Sequence, residues 1–219
     1  LTNAGKAGID ADQVVLSPMS HAGYYPGGKL MTMKVVFEKR TFRLLGAQII
    51  GYEGVDKRID VLATAIRAGM SAIDLKELDL AYAPPYSSAK DPVNMAGFMI
   101  DNIAKGILKQ FHLADLVSLP RDGSITLLDT RTVSEYSQGH IDGFINIPVD
   151  ELRERIREVP SGKPVYVICQ SGLRSYIACR ILTGYGFDCY NFSGGYRFYD
   201  AVTNDRCLIA RAADCGKDQ

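Results

Sequence analysis

The 219-residue sequence has no tryptophan, three histidines and no excess of either charge, with 25 Lys and Arg against 25 Asp and Glu. The balance is also local: 13 basic and 11 acidic residues up to position 111, then 12 and 14. Such a chain offers no field to a polyanion, so no nucleic-acid partner is expected. No apolar run reaches the roughly 18 residues that a membrane helix needs, so no membrane partner is expected either. The amino terminus, Leu1-Thr2-Asn3-Ala4-Gly5-Lys6, has no apolar signal core and no starting Met. The chain is therefore expected to be a fragment or a processed product. Cysteine is missing from the first half: Cys169, Cys179, Cys189, Cys207 and Cys215 all lie beyond it. Their odd number and the absence of Cys-x-x-Cys exclude a disulfide scaffold, and no zinc-ligand spacing occurs, so no metal is expected. A reducing, cytoplasmic setting follows. Repeats and low-complexity segments are absent as well.

What is present is ample apolar material, 47% of residues, enough for a core in each half. Thr32–Glu38 and Arg43–Tyr52 read as two strands joined by the polar turn Lys39-Arg40-Thr41. A helix is expected from Val55 to Met70, with Ile59, Leu62, Ile66 and Met70 on its apolar stripe. Asp91-Pro92 pairs a cap with a first-turn proline and starts a second helix, expected to run to Phe111. Met99, Ile100, Ile103, Ile107 and Leu108 would form its buried side. Between the helices, Ala83-Pro84-Pro85-Tyr86-Ser87-Ser88 must be a loop.

A turn-rich stretch, Leu119-Pro120-Arg121-Asp122-Gly123-Ser124, marks a boundary. Beyond it strands and helices alternate, as in a parallel α/β domain. Strands are expected at Ile125–Leu128, Phe144–Ile147, Val165–Ile168 and Cys189–Phe192. The third of these is an uninterrupted apolar run suited to burial on both faces. A capping box, Thr132 with Glu135, opens one helix. A second is expected to carry Leu152, Ile156 and Val159, and a third spans Ser175–Tyr185 with Gly186 as its stop.

One segment carries chemistry: Cys169-Gln170-Ser171-Gly172-Leu173-Arg174-Ser175, between a buried strand and a helix. In open α/β sheets, ligands bind just past the carboxyl ends of the strands. Backbone N–H groups converge there, the helix terminus adds partial positive charge and Arg174 adds a full one. This setting favours the thiolate, the nucleophilic form of Cys169. Gly172 lets the loop reverse. The other four cysteines read as core or tail thiols. Cysteine phosphatases use a similar loop with five residues between Cys and Arg. Here there are four, a cradle better matched to one extra sulfur atom than to a phosphate.

Asp129-Thr130-Arg131, Glu135-Tyr136 and Gly139-His140-Ile141-Asp142-Gly143-Phe144-Ile145-Asn146-Ile147-Pro148 together resemble the signature of rhodanese domains. The loop Cys169–Ser175 and the later turn Ser193-Gly194-Gly195-Tyr196 complete the resemblance. It implies that Cys169 is the sulfur-accepting nucleophile and that Arg174 helps to hold the anionic loop. Gln170, Ser171, Gly172, Leu173 and Ser175 then form the substrate cradle. Asp129 and Arg131 are expected to be structural or rim residues, and His140 a structural hydrogen-bonding residue.

The first half has three unusual strings: Ser20-His21-Ala22-Gly23-Tyr24-Tyr25-Pro26-Gly27, Gly54–Asp60 and Ala81–Asn94. They resemble the interface domain of flavin-dependent pyridine nucleotide–disulfide oxidoreductases, in particular the coenzyme A–disulfide reductase–rhodanese fusions, also described as NADH-dependent persulfide reductases. The resemblance implies an α+β dimerisation domain at 1–111, a linker at 112–124 and an α/β rhodanese domain with a parallel sheet at 125–212. It also implies that Tyr24 and Tyr82 reach the partner subunit's thiol site, with Tyr25 and Tyr86 as neighbours. No Gly-x-Gly-x-x-Gly follows a strand, so the fragment is expected to bind no cofactor alone. FAD, NADH and coenzyme A are expected in a full-length parent, whose FAD- and NADH-binding domains would be missing here. The expected activity is reduction of a disulfide, persulfide or polysulfide, with sulfane sulfur or coenzyme A thiols as small-molecule partners. A homodimer through 1–111 is expected. Two alternatives remain: an NADH oxidase with a vestigial rhodanese domain, and a non-catalytic dimerisation module joined to a sulfur-binding or redox-sensing domain.

Overall fold

Met31, Met33, Val35 and Phe37 are buried, while Thr32, Lys34, Val36 and Glu38 between them are only partly covered. This period of two makes a strand with one face on a core. The computed structural model describes residues 1–215, with side chains through Asp205, so the side chains of Cys207 and Cys215 lie outside the described residues. Two units divide between Lys109 and Gln110.

The first unit begins with a short helix α1 (Thr2–Lys6) and strand β1 (Ala11–Leu16). Strands β2 (Met31–Glu38) and β3 (Leu44–Gly51) form the expected hairpin, and β1 adds to β2 antiparallel, opposing Val14 to Val35. Strand β1 escapes sequence reading because only its last three residues are buried. Helix α2 (Val55–Arg67) and helix α3 (Pro92–Ala104), with a 3₁₀ turn at Asp74–Glu77 between them, cover the sheet. Leu62 and Ala65 of α2 and Val93, Ala96 and Ile100 of α3 pack with Met33, Val35 and Phe37 in one core. Each such large side chain contributes about 1.5–3 kcal/mol on burial.

Asp91 caps α3 as expected: its side chain accepts from Val93 N–H while Asn94 accepts from Asp91 N–H. The helix stops at Ala104 rather than Phe111. The N–H groups of Ile107 and Leu108 both return to the Asn102 carbonyl, reversing the chain around Gly106. Ile107 is consequently exposed, while Leu108 is buried and Phe111 is buried in the second unit instead.

The second unit is a parallel five-stranded sheet in the order β4-β8-β7-β5-β6. Its strands are β4 (Gln110–Phe111), β5 (Thr126–Asp129), β6 (Ile145–Asn146), β7 (Val165–Ile168) and β8 (Cys189–Phe192). Helices α4 (Leu113–Leu116), α5 (Val133–Ser137), α6 (Leu173–Gly184) and α7 (Gly195–Cys215) connect or follow them. Residues 110–116, read from sequence as helix end and linker, thus supply an edge strand and a helix of this unit. Two cores lie on the sheet, one around Leu128, Val165 and Val167, the other around Phe111, Leu127, Ile168 and Phe192. Burial of β7 from both sides explains its unbroken apolar run.

The helix expected over Leu152–Val159 is instead a series of tight turns ending in a 3₁₀ segment, Ile156–Glu158. Leu152 and Val159 are nonetheless buried. Three-residue turns rise further per residue than an α-helix and place the same apolar groups inward. Pro160 then prevents continuation.

Candidate active site

Cys169 directly follows β7, and the next three residues turn into α6. Gly172 sits at φ 100°, a left-handed conformation that favours glycine, and its N–H donates to Cys169 Sγ at 3.1 Å. The Ser175 hydroxyl donates to the same sulfur at 3.2 Å and also lies 3.2 Å from the Gly172 carbonyl. One hydroxyl proton therefore has two acceptors. Asn191 on β8 donates its side-chain amide to that carbonyl at 3.3 Å. Cys169 is only 1% exposed, while neighbouring Leu173 is 60% exposed.

A second turn holds the loop from below. Tyr196 N–H donates to the Cys169 carbonyl at 2.8 Å, and Arg197 N–H to the Gln170 carbonyl at 3.0 Å. Gly195, at φ 68°, packs so closely that a Cβ there would lie 2.7 Å from the Gln170 carbonyl group. The Cys169 and Ser193–Tyr196 motifs are thus two halves of one interlocked structure.

Asp129 and Arg131 form a buried ion pair at 2.7 Å. Arg131 also donates to the Gly139 carbonyl at 2.8 Å and stacks on the Tyr196 ring at 3.8 Å. Both side chains are buried, and through Arg131 the pair ties the Gly139 carbonyl to the Tyr196 ring. His140 stacks on Tyr136 with ring centroids 4.1 Å apart, and its Nδ1 lies 3.2 Å from the Tyr136 carbonyl.

Arg174 does not reach back to the loop carbonyls. Its two terminal nitrogens clamp Glu135 of α5 at 2.7 and 2.6 Å. Glu135 also accepts from the N–H and hydroxyl of Thr132, at 2.9 and 3.0 Å. The Arg174 guanidinium, with help from Thr132, brings the Glu135 carboxyl down to about 2 against the cost of burial. Sequence reading assigned Glu135 only a capping role, because nothing local to α5 announces a partner 39 residues away. Asn191 was missed for the same reason.

Cys179 and Cys189 are buried core thiols, as read from sequence. A hydrogen bond with Cys189 and burial push the Cys179 thiol well up from its ordinary value. Among the described residues no cluster of His, Cys, Asp and Glu can hold a metal. A cavity of about 310 Å³ lies at the opposite ends of β7 and β8, lined by Lys163, Pro164, Tyr185 and Asp188, away from Cys169.

In the first unit, the phenols of Tyr24 and Tyr82, 58 residues apart in sequence, meet at 2.5 Å. Both rings are well exposed, 75% and 48%. Hydrogen bonding to Tyr24 raises the Tyr82 pKa. Tyr25 packs edge-on against buried His21 at 5.6 Å, and Tyr86 stands exposed. Beneath these loops Arg58, 1% exposed, gathers the three unusual strings of the sequence. It donates to the carbonyls of Ser20 at 2.8 Å and Gly54 at 2.9 Å, and pairs with Asp91 at 2.9 Å. Burial works against the Asp91 carboxylate, but hydrogen bonds from Ser87, Arg58 and Val93 outweigh it and lower its pKa.

A thiol cradled at the end of a parallel strand, preceded by an α+β unit with paired tyrosines, defines a two-domain α+β and α/β protein. Residues 112–201 match the rhodanese-like domain family, and residues 1–92 match the pyridine nucleotide-disulphide oxidoreductase dimerisation domain family. The two matches together span most of the chain, a dimerisation domain of the pyridine nucleotide-disulphide oxidoreductase type followed by a rhodanese-like domain. It is similar to the coenzyme A disulfide reductase of Staphylococcus epidermidis, 45% identical over 90 residues, which are 41% of this chain and 20% of that protein. The crystal structure of reduced Bacillus anthracis CoADR-RHD is 43% identical, with a TM-score of 0.89, covering 94% of this chain and 37% of that one. A NAD-dependent persulfide reductase from A. fulgidus is 40% identical, with a TM-score of 0.81, covering 91% and 36%. The chain thus spans about a fifth of the length of the curated relatives and a little over a third of these solved ones.

Proposed function

We propose that the chain is the dimerisation and sulfur-carrying part of a longer FAD- and NADH-dependent reductase of coenzyme A disulfides, persulfides or polysulfides, acting in the cytoplasm. FAD and NADH would bind domains outside these 219 residues and supply the reducing electrons there. This chain would contribute a homodimer interface through 1–111 and a persulfide carrier at Cys169. The observation that carries the reading is the Cys169 sulfur with two donors, Gly172 N–H and Ser175 O–H, aimed at it from one loop and one helix turn.

In the carrier step the Cys169 thiolate attacks the outer sulfur of a donor, the donor's S–S bond breaks, and the sulfur remains on Cys169. An acceptor thiolate or cyanide then removes that sulfur and returns the Cys169 thiolate. The two donors stabilise the thiolate both as nucleophile and as leaving group, and no separate base is needed. Gln170, Ser171, Gly172, Leu173 and Ser175 line the path of the donor, and Arg174 braces it through Glu135. Tyr24 and Tyr82 serve the reductase site, donating to a thiol as it gains negative charge.

The test is sulfur transfer to cyanide by the purified chain. Cys169→Ser is expected to abolish it, whereas Cys179→Ser and Cys189→Ser variants that fold should keep it. Substantial transfer by Cys169→Ser would overturn the assignment. In the full-length protein, Tyr24→Phe and Tyr82→Phe are expected to slow NADH-dependent reduction on the order of 10²–10³ if that site is well preorganised. Sulfur transfer at Cys169 should survive both changes.

A further inference from the structure

Both guanidinium groups packed around the Cys169 loop arrive with a carboxylate. Arg131 is paired with Asp129 at 2.7 Å and buried. Arg174 is clamped end-on by Glu135 at 2.7 and 2.6 Å, and Thr132 adds two further donors to the same carboxylate. Arg197 touches the loop through its backbone N–H, and its side chain stands exposed, where salt and water screen it. The side-chain charge held against the loop therefore sums to zero. We propose that Glu135 sets the donor class of this site: by neutralising Arg174 it favours hydropersulfides, whose reacting R–S–SH group is uncharged, over thiosulfate, whose two charges sit on the reacting group.

The inference rests on Cys169 being a persulfide carrier, and it follows from charge. With a hydropersulfide, the Cys169 thiolate attacks the outer sulfur and the S–S bond breaks. R–S⁻ leaves and takes a proton from water, and Cys169–S–SH remains. The reacting pair carries one negative charge throughout. With thiosulfate, attack on the outer sulfur expels sulfite and leaves Cys169–S–S⁻, so three negative charges must share one pocket. Repulsion between unit charges a few ångströms apart is severe unless a cation offsets it. An unpaired Arg174 would do so; Arg174 bound to Glu135 does not. The guanidinium keeps N–H groups that Glu135 does not engage, so it can orient an uncharged R–S–SH group by hydrogen bonding. Leu173 and Ile177, exposed at successive turns of α6 directly after Gly172, provide apolar surface for the R group.

The experiment compares kcat/KM for transfer to cyanide from glutathione hydropersulfide and from thiosulfate, using the 219-residue chain and subtracting the uncatalysed rate. The native chain is expected to prefer the hydropersulfide. Glu135→Gln should raise the thiosulfate-to-hydropersulfide ratio about tenfold or more, by lowering the thiosulfate KM, and should make that KM rise with ionic strength. Glu135→Asp, which keeps the charge, should stay near the native ratio. If Glu135 only supports the fold, Glu135→Gln would weaken both donors equally without new salt dependence, and the proposal fails. Native use of thiosulfate as efficiently as hydropersulfide would also overturn it, whether or not Glu135→Gln folds. Failure of the underlying reading is separate: it appears as transfer that survives in Cys169→Ser.

Discussion

The tyrosine pair and the cysteine cradle are built on opposite plans. Tyr24 and Tyr82 lie on exposed loops, bonded to each other and open to water. Cys169 is buried, and its donors come from the loop and helix that immediately follow it. The phenols are held in place at a distance, through a buried arginine that draws together loops far apart in sequence. The thiol's own donors are local, from a turn and the first residues of a helix, and the turn that backs them belongs to the same domain. A locally built site is complete within its own domain, whereas two exposed phenols present donors to something that must come to them.

The comparison predicts where each site is fragile. The largest effect is expected at the Arg58 hub. Asp91→Ala leaves Arg58 buried without its counter-ion, which typically costs about 3–5 kcal/mol. Denaturant unfolding should show the first domain collapsing early, while Cys169 still transfers sulfur. Joint loss of both would mean that the two sites are not independently supported. Next is Gly195→Ala. A Cβ 2.7 Å from the Gln170 backbone at φ 68° must displace the loop. A cost of about 1–3 kcal/mol is expected, with sulfur transfer falling and the first domain's stability unchanged.

Acid comes third. The Glu135 pKa falls from 4.5 to about 2 on folding, so its contribution is full above pH 4.5 and is lost as pH drops towards 2. The carboxylate is about a third exposed, so solvent screening limits this to about 1 kcal/mol. Acid titration of the second domain's Tm in native and Glu135→Gln proteins should converge at the low end. The smallest effect is at the phenols. Tyr24→Phe should leave Tm unchanged but lower the pH at which Tyr82 ionises, because the bond that raises it is gone; ultraviolet titration of phenolate reads this directly.

The same contrast explains what could be read in advance. The cradle was legible because Cys169, Gly172, Ser175 and Arg174 fall within seven residues, and strand-to-helix geometry dictates what such a segment does. The α3 cap was legible because Asp91, Pro92 and Asn94 are adjacent. Glu135 on Arg174, Asn191 on Gly172 and Arg58 on Asp91 join residues 39, 19 and 33 positions apart, and no local periodicity encodes them. Tyr24 and Tyr82 could be nominated one by one, but their meeting depends on Arg58. Strands β1 and β4 were missed because one is half-exposed and the other only two residues long. The turns at 149–159 were misread because an apolar spacing that suits a helix also suits a string of tight turns.

Strand β4 carries a consequence for biosynthesis. It opens the second domain, yet its partner in the sheet is β8, which pairs Phe111 with Phe192. A ribosome delivers β8 about 80 residues after β4, a delay of roughly 4–16 s at 5–20 residues per second. Until then the Phe111 ring, which ends up 5.0 Å from both Phe192 and Tyr166, has no complete pocket. The nascent chain must therefore carry an unsatisfied aromatic from the start of the domain, and the sheet closes only when its last strand emerges. A message truncated before β8 would leave that ring, and the edge of β7, open to the wrong partners.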